Sequence, residues 1–313
     1  MSSLAYRHQR VQRLRRLVGR RSARADEGRF VIEGPNLLEE ALKAHAPIEA
    51  VYLDTGWSSD RGRGGSAGPG EDRTGVDAPL GPDGEPRTRQ VRLAGLVAQC
   101  YDQGARVFEL EAGVLARVAG TVAPQPVIAV VGMPVFTMED IRAAGPRLLV
   151  VCVDVRDPGN AGTVVRSAWA AGVDALVCCE GTVDVWNPKA VRSSAGAVLH
   201  VPVVAAGPAA QVLSELGGWG LARLGTAAAG GTDYAATDLT RPTALVLGNE
   251  AAGLALAELR PHLDGVVSIP MAMGAESLNV GMVAAVLCFE AARQRRHGHS
   301  GHEDGGTGKL SGI

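Results

Sequence analysis

Apolar runs alternate with helical stretches through the second half of the chain. The runs Leu148 to Val153 and Ala244 to Leu247 are apolar throughout, which is typical of strands buried inside a parallel sheet. Between the strands, the pattern changes to the spacing of amphipathic helices. This alternation predicts an α/β domain with helices on both faces of its sheet.

One helix start in this half can be predicted from its polar residues. Asp157-Pro158-Gly159 reads as a turn, and Asn160 is a residue type that commonly caps helices. We therefore predict a helix from Ala161 to Ala171 with Asn160 as its N-cap.

The first part of the chain predicts a second, smaller α/β unit. Residues from Ser3 to Arg21 read as a basic helix with Leu4, Val11, Leu14, Leu17 and Val18 on one side. Strands are expected at Phe30 to Glu33 and at Ile48 to Leu53. The Gly34-Pro35 turn between them is suited to begin a helix, because proline is tolerated in a first helical turn.

Two segments have a composition that argues against a packed core. Residues 57–89 are rich in Gly, Pro, Ser, Asp and Arg, and residues 297–313 are rich in Gly and His. Such segments cannot bury enough apolar surface to offset the entropy of ordering them. We predict a disordered insertion and a disordered tail.

The charge of the chain is unevenly distributed. The formal net charge is only −2, yet eight arginines precede the first acidic residue, Asp26. These are Arg7, Arg10, Arg13, Arg15, Arg16, Arg20, Arg21 and Arg24. A basic block of this kind suits contact with phosphate, and a solvated helix face is the alternative interpretation.

The five cysteines and the polar clusters exclude several classes of protein. The cysteine count is odd, no Cys-x-x-Cys occurs, and most cysteines lie in apolar runs. We expect buried thiols in a reducing compartment. No signal segment or membrane-spanning run is recognisable, so the cytoplasm is the expected location. Asp154 and Asp157 lack a third ligand at suitable spacing, which predicts that no metal is required.

Two strand ends near the carboxyl terminus open into loops that contain glycine. The first strand stops at Gly248-Asn249-Glu250, with Gly253 following, and the second stops at Pro270. Glycines let backbone N–H groups approach a ligand, and the ends of parallel strands meet at one sheet edge. A ligand crevice is therefore predicted there. The absence of Gly-x-Gly-x-x-Gly after a strand argues against a nicotinamide-dependent enzyme.

Three motifs together resemble the SpoU/TrmH branch of the SPOUT RNA methyltransferases. They are Asn160-x-Gly162-x-x-x-Arg166, Gly248-Asn249-Glu250-x-x-Gly253, and Ile269-Pro270-Met271 followed by Ser277-Leu278-Asn279-Val280. The small unit, with its Phe30-x-x-Glu33-Gly34 segment, resembles the substrate-binding domain of many such enzymes, which is similar to certain RNA-binding ribosomal proteins.

The resemblance implies a division of the chain. The predicted parts are a basic N-terminal helix at residues 1–25, an RNA substrate-binding domain at 26–132 with the insertion at 57–89, a linker at 133–146, a SpoU methyltransferase domain at 147–296 and the tail at 297–313. It also implies a trefoil knot in the parallel sheet and a homodimer. The helices Ala161 to Ala171 and Gly281 to Ala292 would provide the dimer contacts, or they would only pack against the sheet.

The function implied by the resemblance is methyl transfer from S-adenosylmethionine to a ribose 2′-hydroxyl in RNA. The expected substrate is 23S rRNA, and the alternatives are a tRNA methyltransferase and an RNA-binding relative that has lost catalysis. The residues expected to hold the cofactor are Thr226, Leu247, Gly248, Gly253, Ile269, Pro270, Met271 and Leu278.

The resemblance also implies catalytic residues. Arg166 would act as the base for the 2′-hydroxyl, after burial had driven it toward neutrality, or would clamp a phosphate. The clamp is favoured, because a guanidinium keeps its proton at ordinary pH. Asn160 would orient the ribose or Arg166, and Glu250 would fix Arg166 or backbone amides. Ser277 and Asn279 would bind RNA or cap the last helix.

Overall fold

The computed structural model describes residues 3–55, 89–119, 124–272 and 276–300. The chain divides into two compact units. Unit 1 is residues 1–133 together with 186–188, and unit 2 is the remainder. The insertion predicted at residues 57–89 lies outside the described residues, apart from Arg89, which begins a helix.

Unit 1 is built on a four-stranded mixed sheet. Its strands are β1 (Arg29–Glu33), β2 (Ile48–Asp54), β3 (Arg106–Leu110) and β4 (Val127–Gly132). Their order is β1-β4-β2-β3, with β2 and β3 parallel and the other pairs antiparallel. Its helices are α1 (Gln9–Gly19), α2 (Arg21–Glu27), α3 (Pro35–Lys43), α4 (Arg89–Asp102) and α5 (Val114–Ala119). The strands predicted near Phe30 and Ile48 are confirmed, and α3 begins at a proline as expected.

The first helix begins later than predicted. The expectation placed its start at Ser3, but α1 begins at Gln9, after His8, whose ring accepts a hydrogen bond from the Arg10 amide at 3.2 Å. The preceding residues extend the sheet instead, because the Leu4 amide donates to the Glu109 carbonyl at 2.7 Å. Of the predicted apolar side of α1, Val11, Leu14 and Leu17 are fully buried.

Unit 2 is built on a seven-stranded sheet in which every pair of neighbours is parallel. The strands are β5 (Leu148–Cys152), β6 (Ala175–Cys178), β7 (Val203–Ala205), β8 (Ala222–Thr226), β9 (Thr232–Asp233), β10 (Thr243–Leu247) and β11 (Gly265–Ser268), in the order β7-β6-β5-β10-β8-β11-β9. The apolar runs of the sequence form the central strands, as predicted. The trefoil knot stays a prediction.

Six α-helices among the described residues belong to this half of the chain. They are α6 (Met138–Ala143), α7 (Pro158–Ala170), α8 (Pro188–Ser193), α9 (Ala209–Gly218), α10 (Leu256–Leu259) and α11 (Val280–Ser300). The side chains Val212, Leu213 and Leu216 of α9 pack on one face of the sheet, against Leu149 and Val246. None of the helices described here is long and apolar enough to span a bilayer.

The N-cap of α7 is Asp157, and the prediction that Asn160 caps this helix was wrong. Asp157 has an extended backbone, and its Oδ1 accepts a hydrogen bond from the Asn160 amide at 2.9 Å. Pro158 follows at the first helical position, where its missing N–H costs nothing. The helix therefore starts three residues before the predicted first residue, and the Asn160 side chain is free for another role.

The last helix is capped by one of the two predicted residues. The Asn279 side-chain oxygen accepts a hydrogen bond from the Gly281 amide at 2.9 Å, at the start of α11. The helix continues to Ser300, so the tail expected to start at residue 297 begins no earlier than residue 301. Residues 301–313 lie outside the described part.

All five cysteines are free and buried, as predicted from their apolar surroundings. Burial raises the pKa of Cys179 and of Cys288 to about 12. A thiol with such a pKa stays protonated at neutral pH and has the properties of a small apolar side chain.

The motif glycine of α7 permits close packing between helices. A Cβ atom added at Gly162 would overlap the Ser193 hydroxyl and the Ala190 carbonyl oxygen, both on α8. The glycine of the Asn160-x-Gly162 motif thus lets α7 and α8 approach each other.

We expect Gly162→Ala to destabilise the protein by roughly 1–3 kcal/mol, because the added methyl group has no space and the facing atoms include backbone. The matched control is Gly218→Ala at the end of α9, where an added Cβ meets nothing within 4 Å. The measurement is thermal unfolding followed by circular dichroism. Equal melting temperatures for the two variants would contradict this account of Gly162.

Candidate active site

Three neighbouring strands of unit 2 end at one edge of the sheet. Thr226 is the last residue of β8, Gly248 follows β10, and Ile269 follows β11. Since β10, β8 and β11 are adjacent and parallel, their carboxyl ends lie side by side. This is where open α/β sheets bind ligands.

A cavity of about 370 Å³ opens at this edge. Its lining includes eight residues that the sequence had marked: Thr226, Gly248, Glu250, Gly253, Ile269, Met271, Ser277 and Leu278. Two others predicted to hold the cofactor lie elsewhere. Leu247 is fully buried as the last residue of β10, and Pro270 lines an adjoining depression that shares Ile269 and Met271 with the cavity.

The loop after β10 is a tight turn that requires both of its glycines. The amides of Asn249 and Gly253 donate to each other's carbonyl oxygens, each at 2.9 Å. Gly253 has a φ of 69°, which glycine adopts without strain. A Cβ atom at Gly248 would overlap the backbone of Gly253 and Leu254, so a side chain there would spread the turn and narrow the cavity.

The chemical character of the cavity lining restricts which kinds of ligand it can bind. Apolar side chains such as Leu254, Leu256, Val283 and Leu287 form much of the wall, and Glu250 is the charged residue in the lining. Among the described residues, the lining includes neither Lys nor Arg. Phosphate groups are usually bound by such cations, so the cavity suits a ligand that lacks phosphate and is neutral or positively charged.

The Glu250 carboxylate holds together two segments that are distant in sequence. It accepts hydrogen bonds from the backbone amides of Arg156 at 3.1 Å and Asp157 at 2.9 Å. It also accepts one from Asn160 Nδ2 at 3.1 Å. The loop after β10 is thereby fixed to the loop that leads from β5 into α7.

A third predicted catalytic residue continues this chain of hydrogen bonds. Asn279 Nδ2 donates to Asn160 Oδ1 at 2.7 Å, while Asn160 Nδ2 donates to Glu250. The structure thus brings Asn160, Glu250 and Asn279 together at the start of α7 and α11. Ser277, the fourth, lines the cavity and is exposed.

The hydrogen bonds of Glu250 correspond to one of the two roles that the sequence left open, contact with backbone amides. In the described part of the chain its hydrogen-bond partners are two backbone amides and Asn160, and Arg166 is not among them. Burial by itself would raise the pKa of Glu250, but the hydrogen bonds from Asp157, Arg156 and Asn160 outweigh it and hold the pKa below the ordinary value.

Arg166 is the predicted catalytic residue that the structure leaves apart from the others. It is exposed on α7 and does not line the cavity. Within the described residues it has no hydrogen bond or ion pair. It lies six positions after Asn160, which corresponds to about 9 Å along the helix.

Sequence reasoning missed the role of Asn249. Its side-chain amide donates to the Asp154 carbonyl at 2.9 Å, and its oxygen accepts from the amides of Ala251 and Ala252 at 2.9 and 3.0 Å. Asp154 has a φ of 57°, unusual for a residue other than glycine. The signal was present, because asparagine can donate and accept at once and follows the motif glycine.

The fold and the cavity define an α/β protein that binds a ligand at the carboxyl edge of a parallel sheet. Residues 147–289 match the SpoU rRNA Methylase family, and residues 8–74 match the MRM3-like substrate binding domain. The chain is a member of the SpoU rRNA methylase family, as the relatives described next also show.

Individual relatives cover most of the chain. It is 32% identical over 260 residues to the 23S rRNA (guanosine(2553)-2′-O)-methyltransferase RlmP of Bacillus subtilis, covering 83% of this chain and 87% of that one. It is 38% identical over 183 residues to a 23S rRNA (uridine(2479)-2′-O)-methyltransferase of Streptomyces viridochromogenes, covering 57% and 63%.

A solved structure is similar to most of the chain. The SpoU methyltransferase AviRb of Streptomyces viridochromogenes, in complex with the cofactor AdoMet, superposes with a TM-score of 0.71 at 28% identity. The superposition covers 93% of this chain and 100% of AviRb.

We expect the Glu250 hydrogen bonds to weaken only in acid. A carboxylate with a lowered folded-state pKa contributes its full stabilisation above the unfolded value of about 4.5, and this contribution is lost as the pH falls through the folded pKa. NMR shifts and hydrogen exchange of the Arg156 and Asp157 amides measure this. Glu250→Gln is the control and should show no such titration. A transition near neutral pH in the unmodified protein would contradict the assignment.

Proposed function

We propose that this protein transfers a methyl group from S-adenosylmethionine to a ribose 2′-hydroxyl of 23S rRNA. The observation that carries the proposal is the cavity between the glycine turn at Gly248 and the Ile269 loop, bordered by the Asn160, Glu250 and Asn279 network. The Bacillus and Streptomyces relatives support the choice of 23S rRNA as substrate. We infer that the protein works in the cytoplasm, where ribosomes are found.

The residues of the cavity fit the proposed cofactor. When bound, S-adenosylmethionine supplies a methyl group carried by a positively charged sulfur. The Glu250 carboxylate in the lining suits that charge, and no lysine or arginine is present among the lining residues that the structure describes. The backbone of the Gly248 and Ile269 loops would provide hydrogen-bonding groups, and Leu254 and Leu278 would provide apolar contact.

Arg166 acts in this proposal as a clamp on an RNA phosphate beside the target ribose. The clamp is preferred to the alternative role as a base, because a guanidinium keeps its proton at ordinary pH. A guanidinium can bind phosphate through two parallel hydrogen bonds, which positions the ribose. Asn160, held between Glu250 and Asn279, orients the ribose.

The proposal includes a homodimer in which Arg166 serves the active site of the partner subunit. Large apolar side chains are exposed on the two helices that the sequence marked for dimer contacts: Trp169 on α7, and Met282 and Phe289 on α11. Met282 and Phe289 are seven residues apart and therefore lie on one face of their helix. An exposed apolar face of this kind is typical of a subunit interface.

We expect Arg166→Lys and Arg166→Ala each to lower turnover by roughly 10²-fold or more, because a misplaced substrate costs that much in rate. The assay is transfer of radiolabelled methyl groups to 23S rRNA transcripts, with 2′-O-methyl mapping to locate the product. Arg142→Lys, an exposed arginine on α6, is the control. Substantial activity in Arg166→Lys would contradict the proposal that Arg166 binds phosphate through two parallel hydrogen bonds.

The same assay tests the wider proposal. Unmodified protein that methylates tRNA transcripts but not rRNA would identify a tRNA methyltransferase. If the protein binds RNA but transfers no methyl group to tRNA or rRNA, it is an RNA-binding relative that has lost catalysis. S-adenosylmethionine should raise the melting temperature and NAD should not, since only a ligand of the folded state stabilises it.

Subunits carrying different mutations test whether the site is shared. Arg166→Ala and Glu250→Ala subunits, co-expressed with different tags, should recover about a quarter of the wild-type activity, since half of the dimers are mixed and each has one intact site. Phe289→Glu in both subunits should abolish this recovery. If Arg166 serves its own chain, no mixed dimer contains an intact site and nothing is recovered.

A further inference from the structure

Two arginines of the basic N-terminal block stabilise the fold of unit 1. Arg24 is buried, and its guanidinium donates to the carbonyl oxygens of Leu17 and Val18 at 2.7 and 3.1 Å, at the end of α1. Arg13 is bonded to Glu27 and Glu49, each at 2.6 Å. These two side chains are therefore already engaged, and an RNA-binding role has to come from other members of the block.

Three other arginines of unit 1 are stacked on aromatic rings. The guanidinium carbon of Arg10 lies over the Phe108 ring, 4.5 Å from its centroid. Those of Arg15 and Arg117 lie over the Tyr6 ring, at 4.8 and 3.5 Å. The two stacks are formed on rings that pack against the same buried cluster of unit 1, and we call their five residues the stacked-arginine patch. It joins the segment before α1 to α1, β3 and α5.

The aromatic rings of the patch are held in place by the fold. Tyr6 and Phe108 both pack against the buried apolar cluster of unit 1, and the Tyr6 backbone carbonyl accepts a hydrogen bond from Gln12 Nε2 at 2.6 Å. Phe108 packs beside Tyr52, with ring centroids 5.3 Å apart, and Tyr52 is buried in the core. The rings thus form a fixed base that limits the freedom of the guanidinium groups, so less entropy is lost when they bind.

The guanidinium groups keep most of their hydrogen-bond donors. In the described part of the chain, Arg10 and Arg117 have no side-chain hydrogen bond or ion pair, and Arg15 donates once, to Gln12 Oε1 at 3.1 Å. Each guanidinium has five N–H donors. Arg15 and Arg117 are exposed. The patch therefore offers positively charged donors to an external acceptor.

We propose that the stacked-arginine patch binds the phosphate backbone of the RNA substrate. This inference rests on the proposed function, which makes RNA the substrate. Bare aromatic rings would favour base stacking, but here guanidiniums lie over both rings, which favours contact with phosphate. Phosphate contact gives affinity without sequence preference, so the patch would strengthen RNA binding, and selection of the methylated nucleotide would take place elsewhere.

The test combines Arg10→Gln, Arg15→Gln and Arg117→Gln in one variant. Its dissociation constant for a 23S rRNA fragment should rise about 10-fold or more, and the slope of log affinity against log salt should fall by about 2–3, near one for each lost phosphate contact. The loss should be similar for RNA fragments of unrelated sequence. At saturating RNA, kcat and the affinity for S-adenosylmethionine should be unchanged, so the effect appears in KM.

The control removes the same charge from another surface. Arg142→Gln, Arg241→Gln and Arg260→Gln, all exposed in unit 2, should leave the salt slope close to that of the unmodified protein. If the triple patch variant fails to fold by circular dichroism, Arg117→Gln alone on the exposed side of α5 should still lower the slope by about one. Unchanged affinity and slope in folded patch variants, or an equal loss in the control, would overturn the proposal.

Methyl transfer and RNA affinity are measured separately, so the RNA-binding role of the patch can be tested independently of the proposed function. If the unmodified protein transfers no methyl group yet loses RNA affinity when the patch is changed, the proposed methyltransferase function is wrong and the RNA-binding role of the patch is supported. If the unmodified protein methylates 23S rRNA and the patch variants bind RNA with unchanged affinity, the proposed function is supported and the RNA-binding role of the patch is refuted.

Discussion

The Glu250 carboxylate is the interaction on which the arrangement of the candidate site depends. It connects the loop after β10 to the loop before α7 through two backbone amides and the Asn160 side chain. Hydrogen bonds to a charged acceptor are shorter and stronger than neutral ones. The hydrogen bond to this carboxylate fixes the orientation of the Asn160 side-chain amide. Asn279, at the start of α11, can therefore donate a hydrogen bond to Asn160 Oδ1.

The cavity beside this network is a consequence of strand order. Three parallel strands that are neighbours in the sheet, β10, β8 and β11, end at the same edge, and the loops that follow them line the cavity. At Gly248 the backbone of the turn passes so close that any side chain would displace it. The result is an apolar cleft with a carboxylate in its lining, which matches the positive charge of a sulfonium ligand.

In unit 1, some arginines stabilise the fold and others keep hydrogen-bond donors available. Arg13 and Arg24 hold helices and strands together, whereas Arg10, Arg15 and Arg117 rest on aromatic rings with most of their donors available. A net charge of −2 conceals this division, because acidic residues elsewhere balance the count without neutralising the surface. What matters for a phosphate ligand is which guanidiniums lack an acidic partner.

The sequence by itself determined the parallel α/β architecture and the two glycine-containing loops, because apolar periodicity and the freedom of glycine are local properties. The resemblance of its motifs to a known family, and not those local properties, marked eight of the residues that line the cavity. Tertiary structure decided the rest. Asp157 rather than Asn160 caps α7, Glu250 bonds amides more than 90 residues away, and Arg166 stands apart from the network. Those outcomes depend on which strands lie side by side, and strand order is set by packing across the whole sheet rather than by any short segment.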